Sequence, residues 1–193
     1  HEAPHATQPR ADKLAQVRAA MQAHGATHHL VSTLDDIAWL FNLRGSDVSY
    51  NPVFLAHALI DAKEAALFVA DGKVDAALRA RLAADGVRIV PYPQARAAIA
   101  ALPTDAVLLI DPRRVTLALR EQVPAGVRVV EVINPSTLAK SRKSDADAAH
   151  VREAMAQDGA AMCEFYAWFE AALARGERIT ELTIDEQLSA ARA

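Results

Sequence analysis

Apolar residues recur at Leu14, Val17 and Met21 in "ADKLAQVRAAMQAHG", the spacing of one helical face, and Gly25 closes the segment. After Ala26, "THHLVST" reads as a strand. Thr33 then offers an N-cap, with Asp36 three residues on, for a short helix through "LDDIAWLF". "VFLAHALID" and "EAALFVAD" read as two strands of a hairpin, and Asp71-Gly72 supplies turn chemistry after them. From there helices and strands alternate. "VDAALRARLAADG" is a helix ending at Gly86, "VRIVPY" a strand, and "PQARAAIAAL" a helix with proline at its start. "AVLLID" reads as a buried strand, "RVTLALREQV" as a helix and "VRVVEV" as the last strand. The pattern predicts an α/β fold whose hairpin makes the sheet mixed.

The texture changes after Val132. "INPSTLAKSRKSDADAAH" is polar and leads into a much longer helix, started by Ser144 with Asp147 as a capping box. Val151, Met155, Met162, Tyr166, Phe169 and Leu173 fall on one face of it, and Gly176 ends it. Thr183 and Glu186 suggest a second capping box for a following helix, which carries no stop signal before Ala193. This division predicts a linker over 1–10, one domain over 11–140 and the beginning of a second over 141–193.

Composition narrows the class. Hydrophobic residues make up 52% and the formal net charge is −3, with no basic block of the kind nucleic-acid binding needs. No apolar run reaches the ~18–20 residues of a membrane span. Cys163 is the lone cysteine, so neither an intrachain disulfide nor a cysteine zinc site can form, which fits a reducing cytoplasm. Its simplest role is a small buried helix residue. The start, "HEAPHATQPR", has no signal-peptide pattern and no Met.

Candidate chemistry is sparse. There is no phosphate loop, nucleophile elbow or H-E-x-x-H motif. His24 and His28 are separated by Gly25. His28 and His29 point to opposite faces of a strand, so they cannot share one ion. His57 and His150 read as structural. Asp35 and Asp36 read as a solvated first helical turn, and Asp111, before a proline, as turn chemistry.

One stretch differs from the alanine-, valine- and leucine-rich remainder: "DDIAWLFNLRGSDVSYNPVFLAHALID", Asp35 to Asp61. It packs together Trp39, Phe41, Arg44, Gly45, Asp47 and an Asn51-Pro52 step. Gly45 permits an unusual backbone, and Asn51-Pro52 fixes the turn into the next strand. Two readings of Arg44 stay open: it pairs with Asp47 to brace the loop, or it presents itself, with Trp39, to a ligand or another domain.

That stretch resembles the middle-domain segment of the cytosolic-type Xaa-Pro aminopeptidases, in the creatinase/prolidase "pita-bread" metallopeptidase superfamily. Asp36 to Leu40, Asn42 to Asp47, and Asn51 to Phe54 carry the likeness; His57 departs from it, since an aromatic residue is expected there. "AHVREAMAQDGAAMCEFYAWFE" is similar to the first long helix of the family's catalytic domain, and "ITELTID" to the start of the next. The resemblance implies a creatinase N-terminal-type, RNase H-like mixed sheet flanked by helices, followed by the opening helices of a pita-bread domain. It implies a metallo-aminopeptidase that removes the first residue of peptides with proline second, as a homodimer, using two divalent ions, commonly manganese. Their aspartate, histidine and glutamate ligands are expected beyond Ala193, so this chain by itself is expected to hold no metal and no activity. Arg44 and Trp39 are the expected substrate contacts, with Asp47 and Asn51 as loop support. The alternatives are a non-catalytic binding or oligomerisation module, or part of a prolidase- or creatinase-like hydrolase.

Overall fold

The computed structural model covers residues 1–193 and divides into two compact units, His1–Arg142 and Lys143–Ala193. The first unit runs α1 (Arg10–Ala23), β1 (His28–Val31), α2 (Leu34–Leu40), β2 (Ala56–Asp61), β3 (Ala65–Val69), α3 (Ala76–Ala84), β4 (Val87–Pro91), α4 (Ala95–Ala100), β5 (Val107–Ile110), α5 (Leu117–Arg120), β6 (Arg128–Glu131) and α6 (Pro135–Ser141). The second holds α7 (Asp145–Ala174) and α8 (Glu181–Ala191).

The strands form one six-stranded sheet in the order β4-β3-β2-β1-β5-β6. β2 pairs antiparallel with β3, as the hairpin pattern requires, and antiparallel with β1 on its other side, while β3–β4, β1–β5 and β5–β6 are parallel. Alternation sorts the side chains into two cores. Val31, Ala58, Ile60, Leu67 and Leu109 face Leu14, Val17 and Met21 of α1, Ile37 of α2 and Leu82 of α3. Leu30, Leu108 and Ile110 face Ile99 of α4 and Leu119 of α5. β3 is buried along its whole length because both its faces are covered. His57 lies on β2, bonds Ser32 Oγ through Nδ1 at 3.0 Å, and stacks on Tyr92 with ring centroids 4.9 Å apart. A flat ring is thus retained at the position where the resemblance led us to expect an aromatic residue.

Several local expectations change. The helices within "RVTLALREQV" and "PQARAAIAAL" are short, α5 spanning four residues and α4 six, the latter preceded by a 3-10 turn at Tyr92–Gln94. α8 is capped by Thr180, whose hydroxyl accepts from the Thr183 N–H at 3.2 Å, so Thr183 lies inside the helix rather than at its cap. The Ser144–Asp147 capping box forms as expected. Cys163 is exposed, not buried. The buried positions of α7 are Ala161, Phe165 and Ala172, and two residues from Ala161 is a rotation of about 200° to the far side. Val151, Met155, Tyr166 and Leu173 of the expected apolar stripe are exposed.

The largest departure concerns Asp36, which is fully buried instead of solvated. Its Oδ2 accepts from Thr137 Oγ1 at 2.7 Å and Asn134 Nδ2 at 3.2 Å, and Lys140 Nζ stands 2.9 Å from Oδ1. Lys140 also pairs with Asp35. Thr33 occupies the N-cap position without a capping bond from its side chain; its hydroxyl instead accepts from Asn134 Nδ2 at 3.1 Å, about a hundred residues away. Asp111 performs the expected turn role, accepting from the Arg113 N–H at 3.1 Å, and adds a bond from the Asn134 N–H at 3.3 Å.

His29 lies in the same buried region. Its Nδ1 donates to the Leu109 carbonyl at 3.0 Å, which leaves Nε2 a buried acceptor with no protein partner. Burial draws its pKa from 6.5 down to about 4, against the opposing pull of the Leu109 carbonyl, Asp36 and Asp111. Between these values the unfolded chain binds the extra proton, so stability falls as pH drops from 6.5 toward 4, by about 3 kcal/mol. Urea midpoints measured across that range should show the loss, and His29→Gln should flatten the profile; parallel profiles for the two proteins would assign the loss to other groups.

Candidate functional site

The Asp35–Asp61 stretch is organised around the C-terminal end of α2. A helix end leaves its last carbonyls without intrahelical donors. Here Asn42 adopts a left-handed φ of 52°, which asparagine tolerates better than most residues. Its N–H donates to the Trp39 carbonyl at 3.3 Å and the Leu43 N–H to the Ala38 carbonyl at 3.0 Å, a Schellman-type ending. Cations complete it. Arg10 Nε donates to the Phe41 carbonyl at 2.7 Å, Lys13 Nζ to the Trp39 carbonyl at 2.9 Å, and Arg44 Nη1 to the Ala38 and Leu43 carbonyls at 3.1 and 2.9 Å. Positive charge at a helix C-terminus is also favoured by the macrodipole. Lys13 further donates to Asn42 Oδ1 at 2.6 Å and lies 4.3 Å from the centre of the Trp39 ring.

Beyond Arg44 the chain makes a tight loop. The Gly45 N–H donates to the Pro52 carbonyl at 3.3 Å and the Asp47 N–H to the Val53 carbonyl at 3.2 Å. A Cβ on Gly45 would sit 2.7 Å from Phe54 Cβ, so only glycine fits this approach. Asp47 Oδ2 accepts from the Leu55 N–H at 2.6 Å and pairs with Lys73, which follows β3. Both contacts, the lysine foremost, hold the Asp47 carboxyl below its ordinary range. The loop and the segment from Lys73 to Leu78 enclose a cleft of about 220 Å³, with Leu43, Phe54, Val69 and Val74 in its walls and Arg44 and Ser46 at its edge.

The four expected site residues therefore separate. Arg44 and Asp47 line one cleft but do not pair with each other, since Asp47 is taken by Lys73. Trp39 is half-buried, packs on the core below Lys13, and is not in that lining. Asn51 is exposed and shapes the loop through its backbone, donating to the Val48 carbonyl at 3.2 Å and accepting from the Val53 N–H at 2.8 Å. Lys13 and Lys73 were missed from sequence. Arg10 and Lys13 continue the Leu14–Val17–Met21 stripe at helical spacing, a signal that they face inward; nothing near Lys73 announces its partner.

The sequence comparison agrees with this geometry. A family model described as the creatinase/prolidase N-terminal domain matches residues 1–147. The chain belongs to that family. Among its curated relatives, a probable Xaa-Pro aminopeptidase P from Fusarium vanettenii is 34% identical over 173 residues, 82% of this chain and 28% of that protein. One of the same description from Aspergillus niger is 34% identical over 199 residues, 99% of this chain and 31% of that protein. This creatinase/prolidase-type chain thus spans about 30% of the length of the curated relatives it matches. Among solved structures, the X-prolyl aminopeptidase from Caenorhabditis elegans, described as a cytosolic enzyme with a di-nuclear active site, has a TM-score of 0.88 at 24% identity. It matches over 99% of this chain and 32% of that one. The N-terminal domain of the FACT complex subunit SPT16 from chickpea has a TM-score of 0.63 at 14% identity, over 93% of this chain and 48% of that one.

The residues of this chain do not fit a pair of divalent ions. No group of three or more His, Cys, Asp or Glu is placed to hold one, and the buried carboxylates Asp36 and Asp111 are committed to Asn134, Thr137 and Lys140. No helix is long and apolar enough to cross a membrane.

Two substitutions test the architecture of the loop. Gly45→Ala should destabilise the chain by about 1–3 kcal/mol through overpacking against Phe54. Lys13→Met keeps the stem but strips buried acceptors at Trp39 and Asn42 of their donor, and should cost about 2 kcal/mol or more. Thermal and urea unfolding report both; an unchanged midpoint for Lys13→Met would mean that the α2 end does not depend on that lysine.

Proposed function

We propose that this chain is part of a metal-dependent Xaa-Pro aminopeptidase, contributing its creatinase-type domain over 11–140 and the opening helices of a pita-bread catalytic domain over 141–193. The observation that carries this reading is the likeness to relatives described as probable Xaa-Pro aminopeptidase P, 34% identical along as much as 99% of this chain. The fold does not carry it, since a FACT complex subunit shares the fold. Two divalent ions, in keeping with the di-nuclear site of the Caenorhabditis elegans enzyme, would be held by residues other than those present here, so no chemical step is assigned to this chain. Manganese as the metal, a homodimer and a cytoplasmic location belong to the same reading and rest on the family resemblance.

Within that reading Arg44 and Trp39 support the active-site mouth in different ways. Arg44 is exposed at the cleft edge with no carboxylate paired to it, and meets a carbonyl or carboxylate of the peptide. Trp39, half-buried, steadies the end of α2 from which Arg44 projects and offers apolar surface. The purified chain of 193 residues, given manganese and an Xaa-Pro peptide, should show no turnover. A protein of the relatives' length containing this chain should turn the peptide over, and Arg44→Ala in it should lower kcat/KM about tenfold or more. Turnover by the chain alone would defeat the assignment of the metal ligands elsewhere, and a variant that changes only in thermal stability would leave Arg44 a bracing residue.

A further inference from the structure

We propose that the cleft between the Arg44 loop and the Lys73–Leu78 segment binds a small aliphatic carboxylate: the C-terminal residue of a peptide or a free aliphatic amino acid. It deepens the reading above by naming what Arg44 recognises, and it is tested by binding without turnover, so its failure and that of the peptidase assignment are separable.

Three observations converge. The first is charge. Three charged side chains line the cleft, Arg44, Asp47 and Lys73. Asp47 and Lys73 neutralise each other, and Asp47 is further engaged by the Leu55 N–H. Arg44 has no such partner, and partial burial lowers its pKa with no acid opposing the shift. The cleft therefore carries one uncompensated positive charge, suited to a monoanion and unsuited to a cation.

The second is orientation. Arg44 is anchored through Nη1 alone, by the Ala38 and Leu43 carbonyls. These bonds leave Nε and Nη2 out of use and fix the plane of the guanidinium. A preset planar fork matches the two oxygens of a carboxylate and loses little side-chain freedom on binding.

The third is shape. Leu43, Phe54, Val69, Val74 and Leu78 give the cleft apolar walls, and its volume is about 220 Å³. Sites for drug-sized ligands begin near ~300 Å³, so this one suits a single residue. An aliphatic side chain fits the walls while its carboxylate meets Arg44, with Ser46 also in the lining.

The test uses the chain of 193 residues, with methyl and Arg Nε–Hε NMR signals as the readout. N-acetyl-leucine should shift Val69, Val74, Leu78 and Arg44 saturably, while N-acetyl-leucinamide, the same shape without the charge, should bind about tenfold more weakly or not at all. Arg44→Ala should lose the binding. Because Arg44 also caps α2, Val74→Glu serves as a second variant: it leaves the cap intact, places a negative charge in the cleft, and should abolish binding with a folded spectrum. Stronger binding of Ala-Pro-Leu than of free leucine assigns the cleft to peptide C-termini, and the reverse assigns it to the free amino acid; either upholds the chemistry. Equal binding of acid and amide, or shifts confined to residues outside the cleft, would overturn it.

Discussion

The carbonyls at the C-terminal end of α2 are the constraint on which the first unit depends. They end a seven-residue helix that lies against the core, with Leu40 and Phe41 fully buried. Left without donors in such a place, each would cost about 1–3 kcal/mol. The chain meets this with Asn42 in a left-handed turn and with cations drawn from two directions, Arg10 and Lys13 from α1 and Arg44 from the loop. The same bonds that end the helix therefore dock α1, bury Lys13 beneath solvent level and launch the Arg44 loop at a fixed angle. Arg10, at 6% exposure, is balanced by Asp85 beyond α3 at 2.5 Å, so the arrangement reaches across the helical layer on that face of the sheet.

The opposite end of α2 is fixed by the converse chemistry. Asp36 brings a buried carboxylate, and α6 answers with Asn134, Thr137 and Lys140. A buried charge is tolerated only when paired and hydrogen-bonded, and Asp36 has both. The helix is thus held by cations at its carboxyl end and by a polar segment from far along the chain at its amino end. Arg44 consequently stands on a support fixed at both ends, which suits a residue that must hold a planar group in one orientation.

Much of this could be read in advance. All helices of the first unit except α6, the β2–β3 hairpin and the mixed sheet followed from periodicity and turn residues, because burial on one face leaves a period of 3.6 or 2 in the sequence; α6, over Pro135–Ser141, lies in a stretch that read only as polar. The Asp35–Asp61 stretch stood out because arginine, glycine and aromatic residues interrupt an otherwise aliphatic text. The roles within it were less legible. Asp47 lies three residues from Arg44 and invites a local pair, yet Lys73, 26 residues away, takes it. Asp36 looked like an ordinary acid of a first turn, and its partners lie 98 to 104 residues downstream. Cys163 was misplaced because small residues are ambiguous on an alanine-rich helix: Ala161 and Cys163 differ little in character, and only the packing of the helix says which faces inward.

The sequence by itself determined most of the elements, their order and the family to which the chain belongs. These depend on local backbone preference, on periodicity and on identities in a contiguous stretch, all properties of neighbours along the chain. The tertiary structure decided which charges meet. It turned Lys13 inward, gave Asp47 to Lys73, buried Asp36 against α6 and left Arg44 as the uncompensated charge at the edge of an apolar cleft. Charge pairing acts over a few ångströms in space and is indifferent to separation in sequence, so it becomes visible only when the sheet has brought distant segments side by side.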